Sequence, residues 1–197
     1  MLGACAMLIA LSQNATMLVA TIIYSLSQAA LFGISALYHR HNWGPIGRAR
    51  MRRMDHSAIF ISIAGTCTPI CMLAIPDAGG MQLLSIIWAT ATAGVLQSVF
   101  WWKAPKWLAA ILYVGMGWMA FPYLPEINAA LGPLSVVFLL TGGVIYTLGA
   151  VVYATKKPNP WPVYFGYHEI FHIMVIIAAM FHFAVIAKIV LRFQTGV

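Results

Sequence analysis

The chain has 197 residues, 62% of them hydrophobic and 8% charged, with eleven Lys and Arg against four Asp and Glu. A soluble domain carries about a quarter charged residues, so so few charges cannot coat a globule of 21.5 kDa, and a water-soluble monomer is excluded. The net charge of +7 does not point to nucleic acid, because the bases are spread between long uncharged runs instead of forming one patch.

A mean hydropathy of +0.87 points instead to an all-α, polytopic membrane bundle forming a single domain over residues 1–197. Residues 1–12 (MLGACAMLIALS) are apolar but shorter than the ~20 residues that cross a hydrocarbon core of ~30 Å. They lack the basic start of a signal peptide and read as a partial first helix. On this reading the chain is about half a helix short of seven full spans. Six spans follow, at about 17–39, 54–76, 82–102, 107–125, 133–154 and 161–187. Pro76-Asp77-Ala78-Gly79-Gly80 punctuates the third span with turn-forming residues. Helices are expected because unpaired backbone groups are too costly in lipid, and the polar/apolar alternation of strands is absent.

Counting the partial helix as the first, Arg40, Arg48, Arg50, Arg52 and Arg53 fall in the connection between the second and third spans. Lys103 and Lys106 fall between the fourth and fifth, and Lys156 and Lys157 between the sixth and seventh. All nine bases share one side, whereas Lys188 and Arg192 lie on the other, along with the loop acids Asp77 and Glu126. This asymmetry places the N-terminus in the cytoplasm. Trp43, Trp101, Trp102, Trp107 and Trp161 sit near span ends, where the indole anchors a helix at the interface.

Ionisable groups inside spans mark function by default. His39 ends the second span, four residues after Ser35 and on the same face. Asp55 is expected to begin the third span. His168 and His172 lie one turn apart in the first turns of the seventh. With this span count all four groups come out at one depth, near the cytoplasmic side. Three imidazoles make a catalytic zinc shell with a fourth position left for water, so His39, His168 and His172 are the expected metal ligands. Asp55 is then placed to take the water's proton, and Ser35 to add a hydrogen bond.

The remaining candidates read more plainly. His41 is a loop residue, and His56 points about a quarter turn from Asp55. His182 lies ten residues beyond His172, ~15 Å along an unbroken helix, and is expected to pack or to make a polar contact. Cys67 and Cys71, one turn apart, read as packing residues, with a metal role as the alternative; Cys5 completes an odd set of three. His168-Glu169-Ile170-Phe171-His172 also matches H-E-x-x-H, in which the Glu is the general base of a metalloprotease. That reading lacks a third ligand, since no acid follows Glu169 and His182 has the wrong spacing.

Several stretches carry a resemblance in order along the chain. They are Ser35-Ala36-Leu37-Tyr38-His39, Arg52-Arg53-Met54-Asp55-His56-Ser57-Ala58-Ile59-Phe60 and Ala64-Gly65-Thr66-Cys67-Thr68-Pro69. Gly115-Met116-Gly117-Trp118, the run Gly142 to Ala150 and His168-Glu169-Ile170-Phe171-His172 follow. From about residue 17 onward the chain resembles the hemolysin III branch of the progestin and adipoQ receptor family. The resemblance implies seven helices and a zinc on the cytoplasmic side held by three histidines, with an Asp and a Ser beside it. Those roles fall on His39, His168, His172, Asp55 and Ser35. It departs from the family in lacking a fuller first helix with its preceding Asn-x-x-Thr/Ser-His-like segment, and in having Cys67 where Tyr is usual.

Kinship with membrane ceramidases suggests zinc-assisted hydrolysis of a lipid amide, with a membrane lipid as partner, in the plasma membrane. The alternatives are a receptor or sensor with structural zinc, a cytolysin as the family name suggests, and a bundle whose histidines form a metal-free polar layer.

Overall fold

In a computed structural model the described residues are 2–101 and 104–195; Trp102 and Lys103, counted above among the anchors and bases, lie outside them. The chain is helical almost throughout, and the one β-bridge among the described residues joins Trp161 to Phe165 in a loop. Among the described residues six helices are long and apolar enough to cross a membrane, as an integral, multi-pass protein requires.

The chain folds as two compact units, one of Met1–Lys103 with Lys188–Val197 and the other of Ala104–Ala187. The first unit holds α1 (Leu2–Ala10), α2 (Ala15–Arg40), α3 (Pro45–Pro69) and α4 (Met81–Phe100). At nine residues α1 is too short to cross a membrane. Asn14 starts α2 by accepting the Met17 amide on its side-chain oxygen at 2.8 Å, which satisfies one of the helix's orphan donors.

In the third span the expected boundary is wrong. The helix starts at Pro45, not near residue 54, so Asp55 lies ten residues inside it and does not begin it. Arg48, Arg50, Arg52 and Arg53 are accordingly helical instead of lying in a loop, and Arg40 is in the last turn of α2. The physical reason is that hydropathy detects contact with lipid, whereas helix formation needs only suitable backbone chemistry. Pro45 at the first helical position has its φ preset, and the Arg, Met and Ala that follow are strong helix formers.

The α2–α3 seam is polar at its centre. Gln28, only 2% exposed, donates its amide to Ser62 Oγ at 3.0 Å and Thr66 Oγ1 at 3.2 Å. Trp88 on α4 donates to Thr68 Oγ1 at 3.2 Å. Between α3 and α4, the ring of buried Phe60 occupies the space that a Cβ on Gly94 would fill. Pro69 cannot supply a backbone donor, and the chain widens after it into a π-turn at Ile70–Ala74 and another at Pro76–Gly80. Cys71 is buried and Cys67 half-buried, both as free thiols, in keeping with the packing role.

The second unit contains α5 (Lys106–Gly117), α6 (Leu124–Leu131), α7 (Pro133–Thr155) and α8 from Tyr167; α8 runs on to Thr195, with its residues from Lys188 assigned to the first unit. The fifth span extends to Leu131, past the expected end at 125, and narrows to a 3-10 segment at Trp118–Tyr123. Pro122 and Pro125 remove two backbone donors there. Gly132 then turns the chain with φ 78° and ψ 167°, a conformation open essentially to glycine alone. Trp118 donates to Thr147 Oγ1 at 3.0 Å and ties this span to α7.

Candidate metal centre

His168 and His172 occupy the first two turns of α8, and their Nε2 atoms face each other at 3.1 Å. Their rings meet edge to face, with centroids 4.6 Å apart. The i,i+4 spacing puts both on one face, and aromatic neighbours fix the rings. Phe171 stacks near His168 at 6.2 Å, while Tyr153 of α7 lies 6.3 Å from His168 and 5.2 Å from Phe171. Gly149 of α7 faces this packing, where a Cβ would meet Met174 and Phe171 at ordinary contact distances of 3.4 and 3.6 Å. Tyr153 and Phe171 were not singled out in the sequence. For Tyr153 the signal was only that an aromatic residue near the end of one span can reach a histidine at the start of the next, and for Phe171 its i+3 spacing from His168.

His39 is exposed in the last turn of α2, its ring 4.6 Å from that of Tyr38. One ring nitrogen from each of His39, His168 and His172 lies within 4.8 Å of the other two, a group of three imidazoles that could hold a metal ion. Three imidazoles are a donor set that zinc accepts. Tetrahedral zinc with nitrogen at ~2.0–2.1 Å would set its ligands roughly 3.3–3.4 Å apart; the His168–His172 pair stands at 3.1 Å, while the group as a whole is gathered within 4.8 Å. No carboxylate belongs to the group. Asp55 is half-buried in α3, and Ser35 is half-buried one turn before His39.

The other histidines fall where their spacing suggested. His41 caps α2 and meets Trp43 edge on at 4.6 Å. His56 Nδ1 lies 2.8 Å from the Arg52 carbonyl oxygen of its own helix. His182 Nε2 donates across to the Leu139 carbonyl oxygen of α7 at 3.2 Å and packs on Tyr146 at 5.5 Å. None of these three joins the group of three ring nitrogens. Glu169, the would-be protease base, is turned back to the Gly166 amide at 2.9 Å.

A family model described as haemolysin-III related matches residues 1–183. The chain belongs to the haemolysin-III-related family. Among curated relatives, Hemolysin-3 of Bacillus cereus is 29% identical over 163 residues, 83% of this chain and 71% of that protein. A Hemolysin-3 homolog of Bacillus subtilis is 34% identical over 130 residues, 65% of this chain and 58% of its own length. Monocyte to macrophage differentiation factor of Homo sapiens is 25% identical over 180 residues, 88% of this chain and 71% of that protein. The hemolysin III resemblance read from the ordered motifs therefore holds. Haemolysin-III-related membership and six apolar spans together make this an integral membrane protein.

Proposed function

We propose that this haemolysin-III-related protein is a zinc-dependent hydrolase of a lipid amide, with the metal held by His39, His168 and His172. The observation that carries the reading is the gathering of three imidazole nitrogens within 4.8 Å of one another. Zinc bound there would polarise the amide carbonyl and bring the pKa of a bound water toward ~7. Asp55 accepts the proton of the attacking water on a carboxylate oxygen and returns it to the amine as the C–N bond breaks, so that water and amide become acid and amine. Ser35 Oγ supplies a further hydrogen bond that orients this exchange. Nine bases counted in the sequence on one side of the spans support a position for this layer near the cytoplasmic face, and on this reading the membrane is the plasma membrane. There an amphipathic substrate leaves its tail among apolar helices and presents its polar head.

The test is metal analysis of purified protein combined with turnover on a panel of ceramides. About one zinc per chain with release of fatty acid is expected. Stoichiometric zinc with no cleavage of any lipid amide would overturn the hydrolase reading and favour a receptor with structural zinc. The name of the Bacillus cereus relative raises cytolysis. Liposome leakage that survives His168→Ala would favour that reading instead.

A further inference from the structure

We infer that Glu169 is a positioning residue for the histidine pair, acting through a two-sided cap on α8, and is not the general base its motif suggests. The proposal rests on the metal reading of His168 and His172 and adds what holds them. Gly166 is the N-cap of α8, for its carbonyl accepts the Ile170 amide at 3.2 Å. Glycine has no side chain with which to cap, so the helix's first amide donors need partners from elsewhere.

Two side chains supply them. Glu169, three residues on, accepts the Gly166 amide on Oε2 at 2.9 Å, which is the returning half of a capping box. Asn159, from the loop before the helix, accepts the Tyr167 amide on Oδ1 at 3.2 Å. The two acceptors close over Gly166. A Cβ built there would come within 2.5 Å of Asn159 Oδ1 and 3.3 Å of Glu169 Oε2, so the cap requires glycine as much as it requires its acceptors. The loop carrying Asn159 is itself folded, with the Trp161 amide donating to the Phe165 carbonyl at 3.1 Å and the Phe165 amide to the Trp161 carbonyl at 2.8 Å.

His168 stands between the two capped amides and Glu169, in the turn that would fray first without them. Its ring meets His172 at 3.1 Å only if that turn is wound. Glu169 projects about 100° around the helix from His168 and reaches backward along it. The carboxylate is therefore engaged on the loop side. The sequence hid this arrangement because Gly166-x-x-Glu169 lacks the Ser or Thr that announces a capping box.

The experiment uses the full chain in nanodiscs. Zinc affinity is measured by chelator competition, and amide exchange is followed over residues 166–172, for Glu169→Gln, Glu169→Ala and Asn159→Ala. Gln keeps an acceptor oxygen, so Glu169→Gln should hold zinc within about twofold of the parent and leave exchange unchanged. Both Ala variants should bind zinc roughly 3- to 30-fold more weakly and exchange faster across the first turn. The inference is overturned if Glu169→Gln is as impaired as Glu169→Ala, since that would require the charged carboxylate itself. It is equally overturned if Glu169→Ala matches the parent. Should the parent bind no zinc, the metal reading fails by itself, and the exchange arm still decides the cap.

Discussion

Gly94→Ala tests whether the α3–α4 contact is as tight as the geometry says. The added methyl would come within 2.5 Å of Phe60 Cζ, with Cδ1 and Cε1 also in its way. That is at least ~1 Å inside the 3.5–4.0 Å at which carbon atoms rest. Phe60 is 1% exposed, so its ring has nowhere to swing and the helices must part. Overpacking of this kind costs about 1–3 kcal/mol, offset in part by the ~0.5–1 kcal/mol that Ala gains over Gly in a helix. The net loss is of order 1–2 kcal/mol, a roughly 5- to 30-fold shift in the unfolding equilibrium. Gly33 in α2, where a Cβ meets nothing within 4 Å, provides the opposite sign, since Gly33→Ala should stabilise. Unfolding in mixed micelles, followed by circular dichroism, measures both. Phe60→Leu should partly rescue Gly94→Ala, with a coupling of about 1 kcal/mol in the double-mutant cycle. Strict additivity, or a Gly94→Ala protein as stable as its parent, would refute the argument.

Gln28→Ala should cost about 1.5–3 kcal/mol in the same assay, because it loses the bonds to Ser62 and Thr66 and opens a cavity. Gln28→Leu, which fills the space, should cost less. His182→Ala should lower stability by roughly 1–3 kcal/mol yet leave zinc stoichiometry intact, since its ring is bonded to Leu139; loss of zinc would return it to the ligand set. Free zinc at a hundredfold excess over Kd should stabilise the parent by about 2.7 kcal/mol. His39→Ala should remove most of that increment, as read from melting with and without chelator.

The spans and the histidine spacing were legible because both are periodic properties of the sequence. A run without charge reports lipid contact directly, and His168 with His172 can share a face only if the segment is helical. Boundaries were less legible where two physical demands diverge. Pro45 to Arg53 is helical without being apolar, so hydropathy missed it and misplaced the start of the helix that bears Asp55. The π-turn after Pro69 and the 3-10 turn near Pro122 were hidden for a related reason. Proline announces a missing donor, while the chain's choice between widening and tightening depends on the packing around it. Tyr153 and Asn159 were invisible because each acts on α8 from a neighbouring segment.

The four acids can be sorted by what each is free to do. Glu169 is committed to the Gly166 amide. Asp77 stands in the turn after α3, 22 residues beyond Asp55 and so ~33 Å further along a helical path. Glu126 lies before the start of α7, and that 23-residue helix, ~35 Å long, separates it in sequence from the histidine pair. In the proposed hydrolase Asp55 is the carboxylate assigned to proton transfer, and that proposal depends on it. Asp55→Asn keeps the shape and a hydrogen-bonding oxygen but cannot take up a proton, so turnover on a ceramide should fall by about 10²–10⁴-fold. Zinc content and unfolding midpoint should stay near the parent's. A variant that melts early but retains specific activity would make Asp55 a structural partner of the site. A variant that keeps both properties would remove it from the mechanism, and with it the general-base step.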